Sequence, residues 1–208
     1  MLDARLRPII DPPLGFIARL LAPHISANAM TTFGFICGVL CFIFIAIGST
    51  GLAGASVYFL LASRLADGLD GAIARINTEG GTDWGGYADI VADFLLWSFL
   101  PLAFIILNAD NASAAAVLLS AFAMSMVVFL AFAVMAEKRG LATDAQGRKS
   151  FFYIAGLAEG AETIAFFVIV CLAPSLFIPA AYLFAVLVYL SVIGRIITTY
   201  AALKNSSM

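Results

Sequence analysis

The stretch ASAAAVLLSAFAMSMVVFLAFAVMA, residues 112–136, contains no Asp, Glu, Lys or Arg. About 20 consecutive apolar residues cross the hydrocarbon core of a bilayer as a helix, so this stretch is long enough to span a membrane. The rest of the chain is similar, because 63% of its 208 residues are hydrophobic and only 12% are charged. Soluble domains carry about twice that charged fraction. The sequence therefore predicts a membrane protein.

Five further apolar stretches are separated by clusters of Gly, Pro, Asn and Ser, which mark turns. Unpaired backbone is not tolerated against lipid, and the short alternating segments of a barrel are absent, so the spans are predicted to be helices. We expect an all-α polytopic membrane protein with an N-terminal interfacial segment at 1–27 and a six-helix domain at 28–208. The six predicted transmembrane helices are residues 28–48, 52–75, 84–108, 112–136, 152–173 and 179–203.

Lys and Arg lie on one side of this six-span arrangement, and the loops on the other side contain neither. By the positive-inside rule, both termini and the joints after the second and fourth spans are predicted to be cytoplasmic. The first 22 residues contain three prolines and no continuous apolar run, so we do not expect a cleavable signal peptide. This N-terminal stretch is either an interfacial segment whose Arg5, Arg7 and Arg19 meet anionic headgroups or a partly ordered tail.

The cysteines and the one histidine are not expected to carry chemistry. Cys37, Cys41 and Cys171 all fall inside predicted spans, where a cysteine behaves as a small apolar packing residue. We therefore expect no disulfide and no metal role for them. His24 lies in the joint before the first span and is interpreted as an interfacial polar residue.

Four aspartates in or beside the second and third spans carry the main functional signal: Asp67, Asp70, Asp89 and Asp93. A charge inside a span costs about 2.5–3.5 kcal/mol and is functional by default. Spacings of i,i+3 and i,i+4 put each pair on one helix face, so two helices can direct four carboxylates to one point. Their mutual repulsion favours bound cations, and an all-oxygen ligand set favours Mg²⁺, Mn²⁺ or Ca²⁺ over zinc. We expect Mg²⁺, with Mn²⁺ as the alternative, because Mg²⁺ commonly bridges phosphate oxygens. Asp83 is left out, because Thr82 or Asp83 is well placed to cap the third span.

The residues around the first aspartate pair are small. Gly68, Gly71 and Ala74 form a nearly bare stripe along one helix, and Arg75 follows it. Such a stripe allows a ligand or another helix to approach the backbone closely. The guanidinium of Arg75 offers a planar pair of donors that suits phosphate.

Residues 67–93 read DGLDGAIAR, nine further residues, and then GGYADIVAD. This segment resembles the signature of the CDP-alcohol phosphotransferase family, D-x-x-D-G-x-x-A-R followed by G-x-x-x-D-x-x-x-D, with every fixed position filled. A weaker match lies at Asn28 and Thr31, where the family often shows P-N-x-x-T and Ala27 replaces the proline. Six helices also fit the family.

The resemblance implies an enzyme of phospholipid synthesis in a bacterial inner membrane, with its site on the cytoplasmic side. It would bind two metal ions and a CDP-linked lipid, typically CDP-diacylglycerol, and pass the phosphatidyl group to an alcohol with release of CMP. By matching positions, the four aspartates ligate metal and Asp93 also takes the proton of the alcohol. The residues implied to border the nucleotide and diphosphate are Asn28, Thr31, Gly71, Ala74, Arg75 and Gly85.

Family members are commonly homodimers. The G-x-x-x-G spacings at Gly34 and Gly38 and at Gly156 and Gly160 allow close helix contacts of that kind, or equally close packing inside one chain.

The acceptor alcohol is left open by the motif among glycerol 3-phosphate, inositol phosphate, serine and other polyols. Glycerol 3-phosphate is favoured because basic residues near the joint after the fourth span suit a phosphorylated alcohol, although they also fit simple topology signals. Glu159 and Glu162 should not face lipid, so they line the acceptor pocket, meet an amine or pair with a basic residue. The basic residues are Lys138, Arg139, Arg148 and Lys149.

Two other classes of protein use buried acidic residues. A membrane prenyltransferase handles a lipid diphosphate with Mg²⁺, but it would need more helices than this chain supplies. A transporter or ion pathway is the non-enzymatic alternative, but no inverted repeat relates the two halves. Nothing in the sequence suggests nucleic-acid binding.

Overall fold

The computed structural model describes residues 2–48, 53–77, 82–139 and 160–205, and every regular element in those ranges is a helix. Single 3₁₀ turns at Ala109–Asn111 and Pro174–Leu176 join neighbouring helices. In this part of the chain the helices are α1 (Leu2–Leu21), α2 (Ala27–Ile47), α3 (Ala53–Asn77), α4 (Asp83–Leu107), α5 (Ala112–Lys138), α6 (Gly160–Leu172) and α7 (Phe177–Asn205).

The ends of α2 and α4 follow local capping rules. Ser26 Oγ accepts a hydrogen bond from the Ala29 backbone N–H at 3.2 Å, so α2 begins directly after Ser26. Gly48 ends α2 with a φ of 68°, a left-handed conformation that glycine adopts without steric cost. At α4, Thr82 Oγ1 accepts from the Gly85 N–H at 3.1 Å. Thr82 therefore forms the predicted cap, and Asp83 follows it in the first turn.

The all-helical prediction is confirmed, whereas the number of spans is supported in part. α3 is 25 residues long but contains charged side chains at 64, 67, 70 and 75, and α6 is described over 13 residues because 152–159 lie outside the described ranges. The count of six, and the division of the chain at residue 28, therefore stay predictions. Within the described ranges, the stretches long and apolar enough to cross a bilayer are Ala27–Ile47, Asp83–Leu107, Ala109–Lys138 and Pro174–Lys204.

Two hydrophobic cores hold the helices together. The larger one joins α2–α7, and in it the rings of Phe104 and Phe177 stack with centroids 4.3 Å apart. The smaller one joins α1, α2 and α3 through small side chains such as Ala18 and Ala66. It holds the C-terminal half of α3, which bears two of the aspartates, from two sides. The cysteines are buried, as expected of packing residues: Cys37, Cys41 and Cys171.

The N-terminal segment forms a helix with two unlike faces. Ala18 is fully buried against the rest of the molecule, whereas Ile9, Phe16 and Leu20 are more than half exposed. An exposed apolar face suits the membrane surface. The interfacial location of α1 stays a prediction.

Glycines on α2 allow close approach of two neighbours inside the chain. A Cβ at Gly34 would lie 3.1 Å from Ala66 Cβ and 3.3 Å from the Ser63 carbonyl oxygen on α3. At Gly38 it would overlap the side chain of Leu96 on α4. This G-x-x-x-G pair is therefore used for packing within one chain, while Gly156 lies outside the described residues.

Candidate active site

The four aspartates meet where the C-terminal half of α3 faces the N-terminal half of α4. Every pair among them lies within electrostatic range, and the carboxyl groups of Asp67 and Asp89 are close enough to share a hydrogen bond. Only residues 78–82 separate α3 from α4, so the two helices meet at one end of the bundle. Asp67 and Asp93 lie farther from this end and form an inner pair. Asp70 and Asp89 form an outer pair.

The inner pair is bridged by Arg64, which lies one turn before Asp67 on α3. Arg64 Nη1 donates to Asp93 Oδ1 at 2.5 Å and lies 3.6 Å from Asp67 Oδ1. The side chain of Arg64 is only 11% exposed, whereas those of Asp67 and Asp93 are 35% and 33% exposed. One nearly buried cation therefore pairs with two of the four carboxylates.

The same guanidinium is held by neighbours on α3 and α4. Its carbon atom lies 4.9 Å from the ring centroid of Trp97 on α4, a cation–π distance. Nη2 donates to Ser63 Oγ at 3.2 Å. Nε is buried, and the described residues provide no hydrogen-bond partner for it. Arg64 is thus held in place with one donor unsatisfied.

Asp70, in the outer pair, is tied to α2. Thr31 Oγ1 donates to Asp70 Oδ2 at 2.6 Å, and its oxygen also lies 3.1 Å from the Ala27 carbonyl oxygen in its own helix. Asp70 is 4% exposed, so this hydrogen bond satisfies a buried acceptor. α2 therefore contributes to the site through Thr31.

Among the described residues, Arg64 is the cation that pairs with the cluster, so the charge of the four carboxylates is only partly compensated there. Two unit charges 4 Å apart interact by about 4 kcal/mol at an effective dielectric of 20, so four carboxylates with one guanidinium leave substantial repulsion. The donors are all oxygen, the set that Mg²⁺ and Mn²⁺ take. In the described part of the chain, no group of three or more Asp, Glu, His or Cys side chains is arranged to hold a metal ion. Three of the four carboxylates contact Arg64 or Thr31.

A cavity of about 330 Å³ opens beside the outer pair, between the starts of α2 and α4 and the end of α3. Asp70 and Asp89 form part of its wall. The six residues predicted from the resemblance to border a nucleotide and diphosphate all line it as well: Asn28, Thr31, Gly71, Ala74, Arg75 and Gly85. The volume falls at the lower end of the range of small-molecule sites.

The glycines near the aspartates on α3 and α4 differ in which residues they face. A Cβ at Gly71 would lie 3.6 Å from Arg75 Nη1, so Arg75 extends back over Gly71 toward the cavity. At Gly85 a Cβ would lie 3.1 Å from Asn28 Oδ1, which shows how closely α4 approaches α2. Gly68 instead faces Leu14 of α1 at 3.3 Å, so it serves helix packing.

The predicted acceptor residues are only partly described. Lys138 and Arg139, at the end of α5, do not border the cavity formed by the described residues, and Arg139 Nη1 donates to the Leu203 carbonyl oxygen of α7 at 2.5 Å. Glu162 lies in the first turn of α6. Arg148, Lys149 and Glu159 lie outside the described residues. An acceptor role for any of these six stays a prediction.

Two residues outside the family motif, Arg64 and Trp97, complete the inner half of the site. Arg64 is one of the basic residues on the predicted cytoplasmic side, and a charge inside an apolar stretch one turn before Asp67 is also a functional signal. Trp97 lies one turn after Asp93 on α4, and that i,i+4 spacing places both on one face.

Comparisons with known proteins agree with the signature. A sequence model of the CDP-alcohol phosphatidyltransferase family matches residues 24–200, a range that contains the four aspartates and the whole cavity. The chain is also 40% identical over 207 residues to a protein of Escherichia coli (strain K12) called Inner membrane protein YnjF. That similarity covers 99% of this chain and 98% of the relative. The resemblance inferred from the motif is confirmed.

Proposed function

Because this chain belongs to the CDP-alcohol phosphatidyltransferase family, we propose that it transfers a phosphatidyl group from CDP-diacylglycerol or a related CDP-linked lipid to an alcohol, with release of CMP. The family is defined by transfer from a CDP-alcohol to an alcohol acceptor. The lipid donor, the acceptor and the metal requirement are the proposed part.

One observation carries the proposal. The cavity beside Asp70 and Asp89 is lined by every position at which the family motif suggests contact with nucleotide or diphosphate. These positions come from α2, α3 and α4, so only the folded chain brings them together. A cavity that combines carboxylates, glycine backbone and one guanidinium suits a diphosphate with bound cations.

We assign the donor's diphosphate to the space between Arg75 and the outer aspartates. Arg75 is the exposed cation of this wall, and Gly71 leaves the backbone uncovered next to it. Asn28 and Thr31 at the start of α2 offer side-chain amide and hydroxyl groups on the facing wall. We assign Asn28 and Thr31 to contact with the nucleotide.

We further propose that the four aspartates hold two Mg²⁺ ions, with Mn²⁺ as a substitute. When bound, such ions polarise the diphosphate and offset negative charge on the departing CMP. The oxygen donors and the incomplete charge compensation of the cluster support this assignment. The chain's own groups would then position the donor and accept the proton.

Asp93 is the proposed general base. The alcohol oxygen attacks the β-phosphorus. The bond between the β-phosphorus and the bridging oxygen breaks, and CMP leaves with that oxygen. The proton of the alcohol passes to an Asp93 carboxylate oxygen. The product is a phosphodiester lipid.

Glycerol 3-phosphate is the proposed acceptor, with inositol phosphate, serine and other polyols as competitors. The support is the basic composition of the joint after α5, including Lys138 and Arg139. A phosphorylated alcohol needs such groups for its own phosphate.

The test is release of CMP by purified protein given CDP-diacylglycerol, Mg²⁺ and each alcohol in turn. We expect turnover with glycerol 3-phosphate, none after chelation of divalent cations, and none with Asp93→Asn, which should still bind the donor. Asp83→Asn is the matched control, because Asp83 is an exposed aspartate in the first turn of the same helix. Turnover with serine or inositol but not with glycerol 3-phosphate would show that glycerol 3-phosphate is not the acceptor. CMP release by Asp93→Asn at the normal rate would show that Asp93 is not the general base.

We propose a bacterial inner membrane as the location, with the site and both termini on the cytoplasmic side. The name of the Escherichia coli relative, the apolar helices and the one-sided Lys and Arg support this placement. A homodimer is the proposed assembly. Reporter fusions at both termini and cross-linking in membranes test these two points.

A further inference from the structure

We propose that Arg64 is a built-in counter-cation of the inner aspartate pair, and that divalent cations compete with it for Asp67 and Asp93. This inference rests on the proposed function, because it concerns how the same site takes up metal. Arg64 would act through the carboxylates and is therefore a positioning residue.

Arg64 contacts the same carboxylate oxygens that would ligate a metal ion in the inner pair. One nitrogen, Nη1, faces both Asp93 Oδ1 and Asp67 Oδ1, which come from two different helices. A carboxylate oxygen that accepts a close hydrogen bond from a guanidinium has less of its lone-pair density free for a cation. The present arrangement therefore stabilises the inner pair without metal and opposes metal binding at the same oxygens.

Charge balance leads to the same conclusion. Four carboxylates carry four negative charges, which two divalent cations would neutralise in full. A guanidinium held between two of those carboxylates would then be an excess positive charge next to the cations. Because like charges repel strongly in a partly buried site, metal and the Arg64 contact with both carboxylates disfavour each other.

The hydrogen bonding of Arg64 is incomplete in the observed position. Its Nε is buried, and the described residues provide no hydrogen-bond partner for it, so the observed position leaves one donor unsatisfied. The contact with Trp97 and the bond to Ser63 Oγ hold the group from the side. A cation that takes over the carboxylates removes the strongest contacts that keep the guanidinium in this position.

Trp97 provides a direct measurement of this exchange. The chain has two tryptophans, Trp84 and Trp97, so the Trp84→Phe variant contains a single reporter whose ring is covered by Arg64. In this variant we expect Mg²⁺, which does not itself quench fluorescence, to change the emission of Trp97. Calorimetric titration with Mg²⁺ on the same sample gives the affinity. Binding by calorimetry with unchanged Trp97 emission would overturn the proposal.

Substitution of Arg64 is the second measurement. Arg64→Met removes the charge but keeps an unbranched side chain, and we expect it to bind Mg²⁺ about 5- to 150-fold more tightly, the usual range of coupling between two sites. Arg64→Lys retains a competing charge, so its affinity for Mg²⁺ should be closer to that of the parent protein. Arg195→Met is the matched control, because Arg195 is a half-buried arginine that contacts Ser125 Oγ on α5 at 3.4 Å.

The outcomes separate this inference from the proposed function. Equal or weaker Mg²⁺ affinity in Arg64→Met, with parent protein that binds Mg²⁺ and releases CMP, would overturn the inference alone. Parent protein that neither binds Mg²⁺ nor releases CMP would overturn both. If Arg64→Met does not fold, the Trp97 measurement still decides, because it leaves Arg64 unchanged.

Discussion

Thr31 on α2 donates a 2.6 Å hydrogen bond to the buried carboxylate of Asp70 on α3. This contact links the weaker half of the family motif to its stronger half across the fold. The aspartate pairs are local patterns within one helix, whereas the Thr31 contact depends on α2 lying against α3. The hydroxyl therefore positions an outer aspartate at the mouth of the cavity.

Replacing Thr31 by Val should impair the site without unfolding the protein. A hydrogen bond to a charged group is worth about 1.5–3 kcal/mol, so kcat/KM for CMP release is expected to fall about tenfold or more. Thr31→Ser should keep most of the activity, because it retains the hydroxyl. Thr32→Val is the control, since exposed Thr32 donates from Oγ1 to the Asn28 carbonyl oxygen of its own helix, at 2.9 Å. Equal activity of Thr31→Val and Thr32→Val would contradict the role given to Thr31.

The sequence predicted the helices and the aspartate positions because both are local signals. Apolar length defines a span, and an i,i+3 or i,i+4 spacing of acids defines a helix face. The bond between Arg64 and Asp93 joins two helices, and its geometry depends on packing against Trp97. No pattern within a single span predicts that kind of contact. The positive-inside pattern gives Arg64 a side of the membrane but not its contact with Asp93.

The small-residue stripe on α3 is a second feature whose contacts depend on packing between helices. Gly68 and Gly71 differ by less than one turn, yet Gly68 meets Leu14 of α1 and Gly71 opens to the cavity. The difference depends on where α1 lies on α3. The sequence assigned α1 to the membrane surface and contained no signal for its contact with α3.

Close packing of α2 on α3 should make Gly34 intolerant of a side chain. A Cβ there meets Ala66 Cβ at 3.1 Å and the Ser63 carbonyl oxygen at 3.3 Å, and the backbone atom cannot rotate away. Gly34→Ala is expected to lower the free energy of unfolding by about 1–3 kcal/mol, as overpacking usually does. Thermal unfolding in detergent measures this. Gly194→Ala is the control, because open space surrounds Gly194 and alanine favours a helix by about 1 kcal/mol. A gain of stability in both variants would show that α2 and α3 are less closely packed than described.

Asp89 and Asp83 offer a matched test of which aspartates act on cations. Asp89 interacts with Asp93 and Asp67, whereas Asp83 lies exposed in the first turn of α4. Asp89→Asn should weaken Mg²⁺ binding by about tenfold or more, the order expected from losing one charged ligand interaction of 1.4 kcal/mol. Asp83→Asn should bind Mg²⁺ like the parent protein. Calorimetric titration of both variants is the measurement, and equal loss in the two would point to a general effect of surface charge.

Substitution of Asn111 should change the stability of the protein without affecting the site, because Asn111 contacts the C-terminal end of α4. Its Nδ2 donates to the Phe104 carbonyl oxygen at 2.8 Å, and the residue is 5% exposed. Phe104 lies about 22 Å along α4 from Asp89 at 1.5 Å per residue, so the bond should not affect the cavity. Asn111→Ala is therefore expected to lower the free energy of unfolding by about 1–3 kcal/mol, because a buried hydrogen bond is lost, while KM for the donor stays the same. Asn108→Ala should cost less, since exposed Asn108 caps Asp110 N–H at a position that water can reach. A changed KM in Asn111→Ala would mean that the two ends of α4 are coupled.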